Sequence, residues 1–402
     1  AYAMSCSCPI ISTPIPHAKE VLTNDTGIIF GFRDSVQLTK SVIKLLNNSK
    51  MRLNMSVNSL QKIASTAWEN SAVEYAMLFE NLAFQKMSVK YNIPEVKLSH
   101  LKKMTTKTGI IQFSKINQPD KSTGYTLDDN ARALIAICMN YNISRNKSDL
   151  KYIRLYLNFI EHCLQPDGKF LNYIDINRNF TSQNESVNLD DSSGRAIWAL
   201  GYLISLKKIL PRKISAQAES LLVKSLPQFE GIFSTRAMAF AVKGLYFSQM
   251  SNPESKNLKL LIMLSDRLVQ MYKHESDSEW LWFESYLTYA NSILSEALLY
   301  AWKLTGNTVY RIIALSSFRF LLSQIFNENG IEVVSNKNWL QKGQKAGKYG
   351  EQPIDVAYTI LTLEAFYDEF GEENFYVNLR TAFNWFLGKN RLRQIIYNPC
   401  TG

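Results

Sequence analysis

The chain has 402 residues, of which 46% are hydrophobic, 12% aromatic and 20% charged. This composition excludes disorder for most of the chain and predicts two or three domains with at least one sizeable core. No run of about 18 apolar residues is present, so the sequence encodes no membrane span. The net charge of +10 is compatible with an anionic partner. The basic residues are scattered and form no stripe, however, which argues against nucleic-acid binding.

Cysteine and histidine are scarce, with five and four residues. Cys138 and Cys163 lie on apolar helical faces and are expected to be small core residues. Cys6 and Cys8 lack the spacing of metal ligands. The sequence also has no glycine-rich phosphate loop, serine nucleophile elbow or Cys–His signature, so we expect neither a metal nor a cofactor. The composition is typical of a reducing, cytoplasmic compartment.

The first 88 residues alternate between strand and helix patterns. Residues 9–13 and 27–30 are short apolar runs that are typical of buried strands. Asp34 or Ser35 is a candidate N-cap for the helical pattern that follows. Further helical patterns cover roughly residues 50–65 and 69–87. This order predicts part of a doubly wound parallel sheet.

Residues 89–124 are interrupted by prolines and glycines and are expected to be a connector with one or two short elements. From about residue 125, helical patterns recur in pairs. The first helix of each pair has a polar start and then becomes apolar, and the second is more amphipathic. The first helices begin near residues 127, 189, 234, 284 and 351, and the second cover about 148–164, 213–226, 255–273, 307–326 and 373–388.

Repeated helical hairpins form either an open solenoid or a closed ring. We expect a mainly α fold with a ring of the (α/α)6 type over residues 125–402, because a ring brings the polar helix starts to one central pocket. The chain begins without Met and stops at a turn-like segment around Pro399. Both ends look cut, so we expect a fragment whose sixth hairpin would lie beyond Gly402.

Two of the polar helix starts share one signature. They are Asp128-Asp129-Asn130-Ala131-Arg132 and Asp190-Asp191-Ser192-Ser193-Gly194-Arg195. One interpretation is structural: Asp128 and Asp190 cap the helices, and an Asp–Arg pair one turn apart forms a salt bridge. The other is a carbohydrate pocket, in which carboxylates accept sugar hydroxyls and two carboxyl groups perform glycosidic chemistry. Both interpretations are open at this point.

The carbohydrate interpretation assigns the polar helix starts to one pocket. Its catalytic candidates are Asp129, Asp191, Glu284 and Glu351. Its substrate-binding candidates are Arg132, Arg195, Arg236, Trp282, Tyr286, Gln352 and Asp355. Trp280, Tyr289 and Tyr349 are further candidate platforms for a sugar ring, and all these aromatic side chains are equally compatible with a place in the core. If the carboxyl groups converge, at least one of them is expected to have a raised pKa.

Short motifs in the first 80 residues suggest a family. They are residues 3–13 (AMSCSCPIIST), 16–21 (PHAKEV), 27–29 (GII), Asp34, Leu45-Leu46 and Trp68-Glu69. Together they resemble the C-terminal end of a retaining GT-B glycosyltransferase of the group-1 type. In that family a glutamate that contacts the sugar nucleotide precedes Ala-Met, whereas this chain has Tyr2. The resemblance therefore implies the last part of a nucleotide-sugar domain without its donor-binding half.

A second resemblance covers about residues 125–402. Its motifs are the two Asp-Asp starts, residues 194–201 (GRAIWALG), residues 282–284 (WFE) and residues 351–355 (EQPID). They resemble the six-hairpin toroids of glycosidases, sugar epimerases and unsaturated-uronyl hydrolases, and most closely the toroid that follows some bacterial group-1 glycosyltransferases. Such toroids share no single reaction. Epimerases of this shape are expected to use histidine in the pocket, and no histidine of this chain lies at an inner-helix start.

The leading hypothesis is a fragment of a carbohydrate-active glycosyltransferase protein. Residues 1–88 would be the glycosyltransferase part and residues 125–402 a toroid that binds or processes a glycan. Alone, the chain is expected to transfer no sugar. The alternatives are that the toroid is itself a glycoside hydrolase or sugar epimerase, or that it is a non-catalytic scaffold. The expected ligand is a carbohydrate or a nucleotide sugar.

Overall fold

The computed structural model describes residues 2–64, 68–83, 93–115, 118–251, 253–347, 350–391 and 394–397. These residues form two compact units, one from residues 1–93 and 384–397 and the other from residues 94–383. Tyr349 and the turn-like segment around Pro399 lie outside the described residues. Within the described ranges, none of the helices combines the length and hydropathy of a membrane span.

The first unit contains a small parallel sheet and five helices in its described part. Its elements are α1 (Tyr2–Ser5), β1 (Ile10–Ser12), α2 (Pro16–Val21), β2 (Gly27–Ile29), α3 (Ser35–Asn47), α4 (Ser49–Ala64) and α5 (Trp68–Leu82). Strands β1 and β2 pair in parallel, with Ile10 opposite Gly27. Asp34 caps α3 by accepting a 2.8 Å hydrogen bond from the backbone N–H of Gln37. The two strands and the Asp34 cap are therefore confirmed.

The second unit begins with short elements. They are α6 (Ser99–Met104), β3 (Ser114–Lys115), β4 (Gln118–Pro119) and β5 (Tyr125–Thr126). Helices in pairs and further short strands follow: α7 (Leu127–Ser144), α8 (Leu150–Cys163), β6 (Tyr173–Ile174), α9 (Gln183–Ser186), α10 (Asp190–Ser205), α11 (Arg212–Ser225), α12 (Thr235–Ser251), α13 (Ser255–Glu275), β7 (Tyr286–Leu287), α14 (Ser292–Thr305), α15 (Thr308–Ile325), β8 (Phe326–Asn327), β9 (Gly330–Ile331), β10 (Leu340–Gln341), α16 (Pro353–Phe370) and α17 (Glu373–Phe386).

The paired helices form an inner and an outer layer. Helices α7, α10, α12, α14 and α16 pack side by side in chain order and form the inner layer. Helices α8, α11, α13 and α15 each pack on the inner helix that precedes them. The inner helices are buried on nearly all sides, which explains their small and apolar sequences. The arrangement confirms the mainly α, (α/α)6-type toroid that the sequence predicts.

Two inner helices approach each other with no room for side chains. A Cβ atom on Gly201 of α10 would lie 1.9 Å from the carbonyl oxygen of Gly244 on α12. A Cβ atom on Gly194 would lie 2.7 Å from the carbonyl oxygen of Ala237. Glycine is therefore required at these positions of the motif at residues 194–201, because any side chain would push the two helix backbones apart.

The fourth inner helix begins later than the sequence predicts. The prediction placed its start near Glu284, but α14 begins at Ser292 and Glu284 lies in the preceding loop. Part of that loop is β7, which pairs antiparallel with β10. The indole Nε1–H of Trp280 donates a 2.7 Å hydrogen bond to the carbonyl oxygen of Glu284. The apolar residues before α14 thus reach the core from a folded loop. Their spacing in the sequence resembles helical periodicity, although the loop is not a helix.

Candidate functional site

The start of α7 carries two carboxylates and an arginine. Thr126 is the N-cap, because its hydroxyl accepts a 3.1 Å hydrogen bond from the backbone N–H of Asp129. Arg132 forms ion pairs with Asp128 at 3.1 Å and with Asp129 at 2.5 Å. The expected salt bridge is therefore confirmed at this helix. The expectation that Asp128 caps the helix is wrong, since Thr126 occupies the capping position. Asp128 instead forms an ion pair with Arg132.

The start of α10 differs from its sequence prediction. Asp190 is the first residue of the helix rather than its cap, and the side-chain oxygen of Asn188 accepts a 2.7 Å hydrogen bond from the Asp190 N–H. Arg195 does not form an ion pair with Asp191, which lies one turn before it in the same helix. Instead, Arg195 Nε lies 3.2 Å from the Asp128 carboxylate of α7. The ion pair that the spacing predicts within one helix thus forms between two helices.

Arg195 is a buried charge at the centre of the inner layer. Its side chain is 7% exposed. Its Nε donates a 3.2 Å hydrogen bond to the hydroxyl oxygen of Tyr358 on α16, and its guanidinium lies 4.6 Å from the ring centre of Phe240 on α12. Arg195 therefore connects α10 to α7, α12 and α16. A buried guanidinium of this kind requires such partners, because removing it from water without them is costly.

Asp191 is held by hydroxyl groups from two other elements. Ser234, directly before α12, donates a 2.7 Å hydrogen bond to its Oδ1. The phenol of Tyr289, in the loop before α14, donates to its Oδ2. Burial, together with the Asp191 charge, raises the pKa of Tyr289 and keeps its phenol protonated as a donor. Both carboxylate oxygens of Asp191 are thus oriented by neighbouring helix starts.

Arg236 and Glu284 form a fixed ion pair. The Nη1 atom of Arg236 lies 3.1 Å and 2.9 Å from the two carboxylate oxygens of Glu284. Arg236 also donates from Nε to the carbonyl oxygen of Tyr289 at 2.6 Å and from Nη2 to Asn291 at 3.2 Å. The Thr235 hydroxyl donates a further 2.7 Å hydrogen bond to Glu284. These contacts attach the loop that carries Glu284 and Tyr289 to the start of α12.

Asp355 is the carboxyl group with the most distinctive environment. It lies in the first turn of α16 and is 5% exposed. Its Oδ1 accepts a hydrogen bond from the backbone N–H of Ala290, whose φ of 49° is a left-handed conformation that non-glycine residues rarely adopt. Its Oδ2 is buried and has no hydrogen-bond partner among the described residues.

The environment of Asp355 favours the protonated carboxyl. Burial raises its pKa to about 6 from an ordinary value of 3.8. The Ala290 hydrogen bond and the charges of Arg236 and Arg195 oppose this effect without overcoming it. The sequence predicts a raised pKa from repulsion between converging carboxylates. Asp355 has the raised pKa, but its cause is desolvation and not that repulsion.

The contacts above connect the starts of all five inner helices described in the second unit. We call this set the rim cluster. It consists of Asp128, Asp129, Arg132, Asp191, Arg195, Arg236, Glu284, Tyr289, Asp355 and Tyr358. Carboxyl groups outnumber guanidinium groups in the cluster, and hydroxyl groups orient several of them. Such a surface can accept hydrogen bonds from a polyhydroxylated ligand and provides carboxyl groups for acid–base chemistry.

The prediction that Trp282 is an aromatic platform for a sugar is wrong. Its side chain is 0% exposed and packs against Phe283 and Phe320, so no ring face is free for a ligand. Trp280 is buried beside the same Phe320. Both indoles are core residues because the loop before α14 turns them inward. Tyr286 is different: it is 36% exposed, and the nearby Glu284 charge and burial raise its pKa.

Three further predicted residues are not members of the rim cluster as defined above. Glu351 and Gln352 directly precede α16 and are half-buried, and Gln352 occupies the N-cap position of that helix. Their roles in binding or catalysis stay predictions. Tyr2 lies in the first unit and is 91% exposed.

Sequence reasoning missed several hydroxyl and amide groups of the site. Thr126, Ser234, Thr235, Asn291 and Tyr358 all bind a carboxylate, an arginine or a helix terminus there. A signal existed for some of them. Ser234 and Thr235 directly precede Arg236, and Tyr358 follows Asp355 by one helical turn. Among the described residues, no group of three or more His, Cys, Asp or Glu side chains is arranged to hold a metal ion.

Comparison with known proteins identifies the fold. No protein-family model matches the sequence, and no curated protein sequence matches it. The chain is similar in structure to cellobiose 2-epimerase from Bacillus thermoamylovorans B4167, with 12% identity and a TM-score of 0.58 over 72% of this chain and 84% of that one. It is similar to a D-mannose isomerase, with 12% identity and a TM-score of 0.55 over 80% and 86% of the two chains.

A glycoside hydrolase shows a similar arrangement. The GH76 α-mannanase from Bacteroides thetaiotaomicron has 12% identity and a TM-score of 0.50 over 71% of this chain and 81% of that one. At 12% identity these likenesses concern the fold and not the reaction. The chain therefore carries an (α/α)6-type toroid, an architecture that it shares with sugar epimerases and with a glycoside hydrolase.

Proposed function

We propose that the toroid unit binds a glycan at the rim cluster and hydrolyses a glycosidic bond there. The observation that carries the proposal is the contrast between Asp355 and Asp191. Asp355 is a buried carboxyl with a pKa of about 6, whereas both oxygens of Asp191 accept hydroxyl hydrogen bonds. Glycosidic hydrolysis needs a carboxylic acid that donates a proton and a second group that acts as a carboxylate.

One short loop holds both carboxyl groups. Tyr289 donates its phenol proton to Asp191, and the next residue, Ala290, donates its backbone N–H to Asp355. The left-handed backbone at Ala290 fixes the direction of that N–H. Because Asp355 Oδ2 has no described partner, we assign to this atom the proton that passes to the glycosidic oxygen. Asp191 would then act as the base or nucleophile.

The other cluster residues are assigned to binding and positioning. Glu284 is engaged by Arg236 through both oxygens, so we infer that it orients the arginine and does not donate a proton. Asp129 is engaged by Arg132 and is assigned to the binding of sugar hydroxyls. The half-exposed Tyr286 is the candidate platform for a sugar ring. Glu351 and Gln352 remain candidates for further contacts.

Epimerisation is the second candidate, because the similar structures include a sugar epimerase and a D-mannose isomerase. We favour hydrolysis because a toroid epimerase is expected to use histidine as acid and base. His162 stacks on Phe180 and makes a contact with the carbonyl of Arg178, away from the rim cluster. None of the contacts that define the rim cluster in the described residues involves a histidine.

The glycosyltransferase resemblance leads to a further part of the proposal. We infer that the first unit derives from the C-terminal part of a group-1 glycosyltransferase and that a protein combining it with a donor-binding half would transfer hexose from a nucleotide sugar. The parallel β1–β2 pair and the Asp34 cap are compatible with this origin. The position of the family glutamate is Tyr2, and the donor-binding half would lie outside this chain. We therefore expect this chain alone to release no transfer product.

The test is a hydrolysis assay on oligomeric mannosides, glucosides and uronides, with products separated by chromatography. The wild-type chain is expected to release shorter sugars from at least one of them. Asp355→Asn and Asp191→Asn are each expected to lower kcat by about 10²–10⁴-fold. Asp167→Asn, which changes an exposed loop carboxylate away from the cluster, is the matched control and is expected to retain activity.

The outcomes separate the candidates. Full activity in Asp355→Asn would contradict the assigned acid. Products that keep their length but change the configuration of one sugar carbon would favour the epimerase. Binding and turnover of none of these glycans would contradict the proposed function and favour the scaffold hypothesis.

A further inference from the structure

A cavity lies between the inner helices, closer to their C-terminal ends than the rim cluster. Its volume is about 180 Å³, and all five inner helices contribute to its wall. Where an inner helix contributes to both the cavity and the rim cluster, its cavity residues lie about one turn or more C-terminal to its rim-cluster residues. On α10, for example, Trp198 and Tyr202 follow Arg195. The cavity is therefore a separate space from the rim cluster.

A layer of aromatic side chains separates the cavity from the rim cluster. Trp198 stacks on Phe240 at 5.6 Å and contacts Tyr358 at 6.0 Å. Arg195 of the rim cluster lies over the Phe240 ring, whereas Lys243 of the cavity lies 4.1 Å from the centre of the Trp198 ring. A ligand in the cavity would thus contact residues that the proposed hydrolysis does not use.

The cavity floor contains a buried ion pair. Lys243 Nζ donates a 2.7 Å hydrogen bond to Glu296 Oε2, and the two residues are 1% and 2% exposed. Thr362 donates a 3.1 Å hydrogen bond to the same oxygen. Burial lowers the pKa of Lys243, an effect that Glu296 opposes. Two exposed carboxylates, Glu364 and Asp368, line the same cavity.

Two hydrogen-bond donors in the cavity wall can donate further hydrogen bonds. The Nε1–H of Trp198 is buried, in a residue that is 3% exposed, and it has no hydrogen-bond partner among the described residues. An ammonium group carries three N–H donors, and among the described residues Lys243 donates one hydrogen bond, to Glu296. Buried donors normally have acceptors, so these two groups indicate a ligand that brings oxygen atoms.

We propose that this cavity binds a hydroxylated six-membered ring without a negative charge, the size of a single monosaccharide unit. Its hydroxyl oxygens would accept hydrogen bonds from Trp198 and Lys243, and its hydroxyl protons would be donated to the carboxylates of Glu364 and Asp368. The rings of Phe247 and Tyr300 line the same space and offer faces to the apolar side of a sugar.

Charge and size narrow the ligand class. Glu296 neutralises the charge of Lys243, so the carboxylates of Glu364 and Asp368 leave the cavity with a net negative charge that would repel an anionic ligand. An engineered protein cavity of about 150 Å³ holds one benzene molecule, so a cavity of this volume accommodates one six-membered ring. Binding of a ligand in this cavity does not require catalysis at the rim cluster.

The experiment is titration calorimetry of the full chain with four probes: methyl α-mannoside, methyl β-glucoside, glucosamine and glucuronate. At least one neutral glycoside is expected to bind, glucosamine no more weakly than that glycoside, and glucuronate at least tenfold more weakly. Ala365→Leu, which fills the cavity, should raise the Kd at least about tenfold. Trp198→Phe removes one donor and should raise it about 3- to 10-fold. Ala216→Leu on the outer helix α11 and Trp302→Phe are matched controls outside the cavity and should leave it unchanged.

The variants also locate the binding. All variants are first checked for a cooperative thermal transition, and Lys243→Met is avoided because it would leave Glu296 buried without its partner. Binding that survives Asp191→Asn and is lost in Ala365→Leu supports the proposal. Binding that is lost in Asp191→Asn alone belongs to the rim cluster and overturns it. Stronger binding of glucuronate than of the glycosides, or no binding of either glycoside to the wild type, overturns it as well.

Discussion

Replacing Asp355 with asparagine is expected to stabilise the toroid at neutral pH while it removes activity. Asparagine keeps the size of the side chain and the acceptor for the Ala290 N–H. It lacks the charge that the buried site disfavours. The structure therefore predicts opposite effects on stability and on function at one residue, a pattern that occurs where an active site stores unfavourable interactions.

The magnitude follows from the pKa of Asp355. Burial raises it to about 6 from the ordinary value of 3.8 that applies to the unfolded chain. The folded state therefore binds this proton more tightly, and below about pH 4 the carboxyl is protonated in both states. As the pH rises from 4 to 6, the unfolded chain loses the proton first, and folding stability falls. At about 1.4 kcal/mol for each pH unit, the loss at pH 7 is roughly 3 kcal/mol.

The assay is calorimetric unfolding of wild type and Asp355→Asn at pH 4 and pH 7. The variant is expected to unfold roughly 5–10 °C higher than wild type at pH 7 and within about 2 °C of it at pH 4. Asp167→Asn, an exposed carboxylate, should change neither value appreciably. An Asp355→Asn chain that is less stable than wild type at pH 7, or equally changed at both pH values, would refute the reasoning.

The remaining predictions concern activity, packing and capping. If Asp355 is the proton donor, kcat/KM should fall about tenfold per pH unit above pH 6, and a flat profile to pH 8 would contradict this role. Gly201→Ala should lower the free energy of unfolding by about 1–3 kcal/mol or more in urea titration, because its Cβ would meet the backbone of α12. Thr126→Ala should cost about 1 kcal/mol through the lost cap, and Asp128→Asn should leave that cap intact. Trp282→Phe should lower the thermal midpoint and leave glycan affinity unchanged, since its indole is buried.

Much of the fold was accessible from sequence because it depends on local patterns. Apolar periodicity marks the helix pairs, and polar residues at the helix starts indicate one rim of a ring. The Asp34 cap follows from neighbouring residues, and it is confirmed. The motif at residues 194–201 contains the glycines that the α10–α12 contact requires.

The pairing of charges depends on tertiary structure and could not be predicted in the same way. Helical spacing pairs Arg132 with Asp128 and Asp129, and it would pair Arg195 with Asp191. In the structure, Arg132 pairs with both of these aspartates, whereas Arg195 pairs with Asp128 on the neighbouring helix α7. Spacing within one helix contains no information about the helix that lies beside it.

Burial explains the remaining differences. Trp282 and Tyr286 stand four residues apart in one aromatic stretch, yet one is fully buried and the other is 36% exposed. The pKa of Asp355 rises through desolvation by surrounding elements that are distant in sequence. The sequence shows which side chains are available, whereas their exposure depends on the loop before α14, whose conformation the periodicity does not specify.

The most direct test of the central claim is a crystal structure of the Asp355→Asn chain with a bound oligomer that the wild type hydrolyses. A sugar ring is predicted to lie at the rim cluster, with its glycosidic oxygen within hydrogen-bond distance of residue 355 and a hydroxyl or the anomeric carbon facing Asp191. Density for the glycan away from both residues, with the rim cluster unchanged, would contradict the account.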